Sequence, residues 1–187
     1  VTGHVMKNGS ELAPLCAEAM LWKVNAVGQN ARMAIQNAGG VRTDIEKGDL
    51  TVGKIYEVFP FGNTLVVLEL TGREIRETLA AALTRTLNPD RDGAFPYVAG
   101  ARYTADMSKP EGERIIALEV KTGTGQWAPM NPNAVYRVVT NSYLAGGGDG
   151  YAIPAEAKGY RYDTGFVDAE VFMEYAEAFA PLKRPEG

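Results

Sequence analysis

The sequence predicts one mixed α/β domain, and three observations carry that expectation. Segments with apolar residues at helical spacing alternate with short runs rich in β-branched residues. The excursions between the predicted strands are long. No repeat, low-complexity tract or linker divides the 187 residues into two cores.

The elements follow in order. Residues 10–26 read as a helix, because Leu12, Leu15, Cys16, Ala19 and Met20 recur on one face behind Ser10 as N-cap. Pro14 is tolerated there because it falls in the first turn. Residues 32–36 give a short apolar strand that runs into a glycine motif. Thr51 caps a helix over 51–58 that carries Val52, Ile55 and Val58, and the β-branched run 64–70 is a strand.

The strongest local signal comes next. Thr71-Gly72-Arg73-Glu74 is a capping box, followed by Ile75, Leu79, Ala82 and Leu83 on one face. Asn88-Pro89 stops that helix near Leu87. Residues 90–112 are punctuated by Gly and Pro around one strand at 101–105. Strands at 114–121 and 135–140 flank a turn-rich segment, and another is expected at 159–162. A last helix over 167–180 turns Val171, Phe172, Tyr175 and Phe179 inward, with Asp168, Glu170, Glu174 and Glu177 on a solvated face.

Composition narrows the function. With 45% hydrophobic and 22% charged residues, the chain suits an ordinary globular domain. A net charge of -4 argues against coating nucleic acid, and no apolar run approaches the roughly 20 residues of a membrane span. The chain opens at Val1 and reads as a mature or excised piece. Cys16 is the only cysteine and lies on an apolar helical face, as a small core residue would. His4 is the only histidine, so a dinuclear metal site of the usual ligand set is not expected in this chain. No G-x-S-x-G elbow is present, and no catalytic residue is assigned.

Two glycine-bearing regions hold the candidate binding residues. In Asn37-Ala38-Gly39-Gly40-Val41-Arg42, Asn37 can donate and accept, matching a heteroaromatic edge or a ribose hydroxyl. Arg42 offers a planar fork for phosphate or carboxylate, or it is a surface arginine beside a tight turn. Phe61, in Pro60-Phe61-Gly62-Asn63, is a stacking platform or a core ring like its neighbour Phe59. Tyr143 and Asp149 flank Gly146-Gly147-Gly148; the ring could stack on a base and the carboxylate could meet two ribose hydroxyls, or the run is a flexible loop. It has neither the Rossmann nor the P-loop spacing.

Taken in order and register, these motifs resemble the C-terminal domain of the 5'-nucleotidase and UDP-sugar hydrolase family. The resemblance covers residues 9–20 as an opening helix, 37–42 as an Asn-Gly-Gly-Gly-Ile-Arg element, 59–64 as a Pro-Phe-Gly-Asn stretch, 143–151 as a Gly-Gly-Asp-Gly-Tyr loop, and 162–169. It implies a single layered domain over 1–187, in four layers α/β/β/α, that binds a nucleotide or nucleoside. Phe61 and Tyr143 would be the two rings around the base, Asp149 the ribose ligand, Arg42 the phosphate or ribose contact, and Asn37 a contact to the base or nearby polar atoms.

Hydrolysis in that family belongs to an N-terminal metallophosphoesterase domain of the same polypeptide that holds two divalent metal ions. The resemblance thus implies a fragment inactive by itself, in a periplasmic or extracellular protein that cleaves nucleoside 5'-phosphates or UDP-sugars. Alternatives are a 2',3'-cyclic-nucleotide phosphodiesterase and a non-catalytic nucleoside-binding module. Three places depart from the family pattern: Met6, beside Lys7, stands where an arginine is usual, the helix start Leu12-Ala13-Pro14 replaces Leu-Gly-Asn or Met-Gly-Arg, and Tyr143 replaces a phenylalanine.

Overall fold

A computed structural model describes residues 10–183. His4, Met6 and Lys7 lie outside the described residues. The expected mixed α/β domain is present. Its centre is a five-stranded sheet in the order β3-β1-β7-β2-β8, made of β1 (Met33–Asn37), β2 (Thr64–Thr71), β3 (Pro96–Ala99), β7 (Val135–Asn141) and β8 (Arg161–Val167). Strands β1 and β7 are parallel, and every other pairing is antiparallel. A smaller antiparallel sheet joins β4 (Ala101–Ala105), β5 (Ile115–Lys121) and β6 (Trp127–Pro129).

The two-residue period of the strands divides the core in two. In β2, Leu65 and Val67 face one side with α1 (Leu12–Ala26), α2 (Val52–Val58) and α6 (Asp168–Ala178). Val66, Leu68 and Leu70 face the other with α3 (Gly72–Arg85). Strand β1 is buried at every residue, as a strand covered on both faces must be.

Four layers are present, but in the order helices, large sheet, α3, small sheet: α3 lies between the two sheets, where the expected order α/β/β/α sets sheet against sheet. Helix α3 is buried around most of its circumference, whereas the small sheet turns one face inward, with Ala101, Tyr103, Ile115, Leu118 and Val120, and leaves Ile116 exposed. One covered face needs one partner layer, and α3 supplies it.

Local signals place the helix starts. Ser10 Oγ accepts from the Ala13 N–H at 3.0 Å, and the Ser10 N–H donates to the Tyr97 hydroxyl at 2.7 Å. Thr51 Oγ1 accepts from the Lys54 N–H. The capping box is complete: Glu74 N–H donates to Thr71 Oγ1 at 3.2 Å, and Thr71 N–H donates to Glu74 Oε2 at 2.7 Å. Thr71→Ala removes one half of this exchange and is expected to cost about 1 kcal/mol of stability in urea denaturation.

Three expectations change. The final strand spans Arg161–Val167 rather than residues 159–162. The last helix ends at Ala178, ahead of Pro181, and Phe179 is half exposed, edge-on to Trp22. Asp168 is not on the solvated face: it is 5% exposed. Its place three and four residues before Val171 and Phe172 puts it on their buried side. Cys16 is buried as expected, and burial together with the nearby Asp168 charge pushes its thiol well above the ordinary range.

Candidate functional site

The topology gathers the candidate residues at one end of the large sheet. The parallel strands β1 and β7 finish side by side at Asn37 and Asn141. Antiparallel β2 and β3 start at that same end, since Leu65 pairs with Asn141 and Pro96 with Asn37. The segments before them therefore meet the segments after β1 and β7, beyond the carboxyl ends of the parallel strands where open α/β sheets hold ligands. Helix α3 returns there too: its 14 residues rise about 21 Å, close to the roughly 26 Å of eight-residue β2.

These segments enclose a cavity of about 450 Å³ lined by all five sequence-predicted residues, Asn37, Arg42, Phe61, Tyr143 and Asp149. That volume lies within the range typical of small-molecule pockets. Arg85 from the end of α3, Asn63, and Asp90, Arg91 and Asp92 from a 3₁₀ turn at Pro89–Ala94 also line it. The sequence reading missed these five. The charge-dense Asn88-Pro89-Asp90-Arg91-Asp92-Gly93 string was the available signal for the turn. This turn meets the β1 turn through two glycines: a Cβ on Gly39 would stand 3.2 Å from Gly93 Cα. Side chains on both would force the cavity walls apart.

Asn37 is the hub. Buried at 2% exposure, it donates through Nδ2 to Asp149 Oδ2 at 2.8 Å. Its Oδ1 accepts from Asn141 Nδ2 at 3.0 Å and Gln36 Nε2 at 3.3 Å. Asn141 Oδ1 in turn accepts from the Leu144 N–H, capping the short helix α4 (Ser142–Ala145) that carries Tyr143. Asn37→Ala strands the buried Asn141 amide, whereas Gln36 Nε2 keeps the Asn37 carbonyl, and is expected to cost about 2 kcal/mol in urea denaturation.

The glycine run is an ordered loop. Asp149 sits in the left-handed region at φ 51°. The Tyr143 hydroxyl holds it twice, donating to Asp149 Oδ1 at 3.0 Å and accepting from the Asp149 N–H at 3.2 Å. The ring lies on Gly148, where a Cβ would come within 2.5 Å of it. Burial, then the hydrogen bond to Asp149, pushes the Tyr143 phenol up, so it stays a donor at neutral pH. The loop's far end is pinned by buried Tyr151, whose hydroxyl donates to Ala94 O at 2.9 Å.

On the other wall Phe61 is 59% exposed, unlike Phe59 in the core. Arg42 reaches over it, 5.9 Å from the ring centroid, and donates to Gly39 O at 3.3 Å. The cavity thus offers two exposed rings, three guanidinium groups and three carboxylates. Among the described residues no group of three or more His, Cys, Asp and Glu side chains forms a metal cluster. No helix among them is long and apolar enough to cross a membrane.

The sequence model of the family described as "5'-nucleotidase, C-terminal domain" matches residues 3–156. A trifunctional nucleotide phosphoesterase of Bacillus subtilis is 40% identical over 98% of this chain, which covers 13% of that protein. The NAD 5'-nucleotidase of Haemophilus influenzae is 39% identical over 89% of the chain and 28% of its own length. The chain spans less than a third of the length of these curated relatives. Among solved structures, a 5'-nucleotidase precursor from Thermus thermophilus superposes with a TM-score of 0.88 and 46% identity, over 95% of this chain and 34% of that one. Motif order, fold and relatives agree, and the chain belongs to the 5'-nucleotidase C-terminal domain family.

Proposed function

We propose that the chain is the nucleotide-binding part of a 5'-nucleotidase-type phosphoric ester hydrolase. The base stacks between Phe61 and Tyr143, Asp149 accepts from the ribose hydroxyls, and Arg42 contacts the phosphate or ribose side. Asn37 holds Asp149 in place and contributes to the polar edge. One observation supports this reading most: two exposed rings, a carboxylate and an arginine from separate segments face one cavity at the carboxyl end of the parallel strands. Exposed rings beside convergent polar groups suit a flat heterocycle with a polyhydroxy arm.

The cleavage step belongs, in this reading, to an N-terminal metallophosphoesterase domain of the same polypeptide, which carries two divalent metal ions. Nucleoside 5'-phosphates are the substrate class, with UDP-sugars as a larger variant. The parent protein acts in the periplasm or outside the cell, and the 187-residue chain alone hydrolyses nothing appreciably. Calorimetric titration of the chain with AMP, GMP and UMP tests the binding role. Measurable binding of at least one supports it; no binding of any nucleotide or nucleoside by the folded chain refutes it.

A further inference from the structure

Arg85 closes α3 and lines the cavity beside Tyr143. Its guanidinium lies against Gly150, where a Cβ would stand 2.5 Å from Arg85 Cζ and Nη1. Only a glycine leaves room for it there. Among the described residues the group makes no hydrogen bond or ion pair, and its Nε is buried without a partner. Such an orphaned donor is costly, and the open side of the group is the cavity. The guanidinium thus stands at the cavity wall with its donors unspent.

Charge narrows which acceptor suits those donors. Asp90, Asp92 and Asp149 line the same cavity and balance Arg42, Arg91 and Arg85, so an additional anion at Arg85 finds no net positive charge to offset its desolvation. A neutral acceptor carries no such penalty, and a base stacked on Tyr143 brings one close. Guanine and hypoxanthine present O6 and N7 side by side, the pair that an arginine fork matches, with an N1–H donor next to O6 for a carboxylate. Adenine places an N6 amino donor where O6 would be.

We propose that Arg85 selects the base: it donates to O6 and N7 of a 6-oxopurine while a carboxylate of the Pro89–Ala94 turn accepts from N1–H. This rests on the nucleotide-binding reading and adds a preference to it. Calorimetric titration of the chain with GMP, IMP and AMP tests it. GMP and IMP are expected to bind about tenfold or more tightly than AMP. In Arg85→Met, which keeps bulk and loses every donor, the three affinities are expected to converge. Should that variant fail to fold, Arg85→Lys, which keeps the charge and loses the planar fork, is expected to lose most of the preference.

Two results overturn the proposal alone: AMP binding the parent chain as tightly as GMP, or Arg85→Met weakening all three nucleotides equally, as a merely structural arginine would. The comparison on the parent chain needs no variant. Absence of binding by every nucleotide overturns the nucleotide-binding reading itself, and this inference with it.

Discussion

Replacing both Phe61 and Tyr143 by alanine is expected to weaken nucleoside binding about thirtyfold or more while leaving the fold in place. Stacking one base face on an aromatic ring contributes about 1–3 kcal/mol, so two rings contribute roughly 2–6 kcal/mol, and 1.4 kcal/mol is a factor of ten. The fold survives because these rings are 59% and 49% exposed, so their removal leaves no buried cavity. The single variants differ in kind. Phe61→Ala removes a stacking face and the ring beneath Arg42. Tyr143→Ala removes a stacking face and both hydrogen bonds that seat Asp149. Tyr143→Phe separates those roles, since it keeps the ring and releases the carboxylate. Calorimetry on the parent and the four variants, with circular dichroism as a check on folding, reads the outcome. An unchanged affinity in the folded double variant rules out the ring sandwich.

Elements with a local cause were legible in the sequence. The capping box at Thr71 and Glu74 and the β-branched run ahead of it define β2 and α3 almost to the residue. Strands β3 and β6 were not legible. They have four and three residues, both are edge strands, and Pro96 and Pro129 lie within them. Their pairing is decided by what lies alongside rather than by their own sequence.

The candidate site divides in the same way. Asn37, Arg42, Phe61, Tyr143 and Asp149 sit in motifs that announce turns. Arg85 sits in an ordinary helix, and only the length of α3 and the room left by Gly150, distant in sequence, bring it to the cavity. The hydrogen bonds that make Asn37 a hub also join distant segments, with Asn141 and Asp149 more than a hundred residues away. No local pattern encodes them. Asp168 is a different case, because the helical phase of Val171 and Phe172 already placed it inward. Its charge outweighed its position in the reading.

That buried carboxyl carries the second large effect. Asp168 has its pKa raised from 3.8 to about 6, chiefly because burial disfavours the charged form. Hydrogen bonds from the Ala169 N–H and the Asn63 side chain offset only part of this. The folded state therefore binds the proton more tightly than the unfolded chain does. Its contribution favours folding most below pH 3.8, is lost as pH rises through about 6, and then levels off. A rise of this size corresponds to about 3 kcal/mol between the two limits. Asp168→Asn keeps the shape and a carbonyl for the Ala169 N–H, and it carries no charge to desolvate. The variant is expected to be more stable than the parent by up to about 3 kcal/mol near pH 8, with the gain vanishing near pH 4. Urea denaturation of both proteins across that range isolates Asp168, because every other titrating group is common to the pair. A pH-independent difference, or a loss of stability at pH 8, would mean that the helix start and Asn63 stabilise the carboxylate enough to offset its burial.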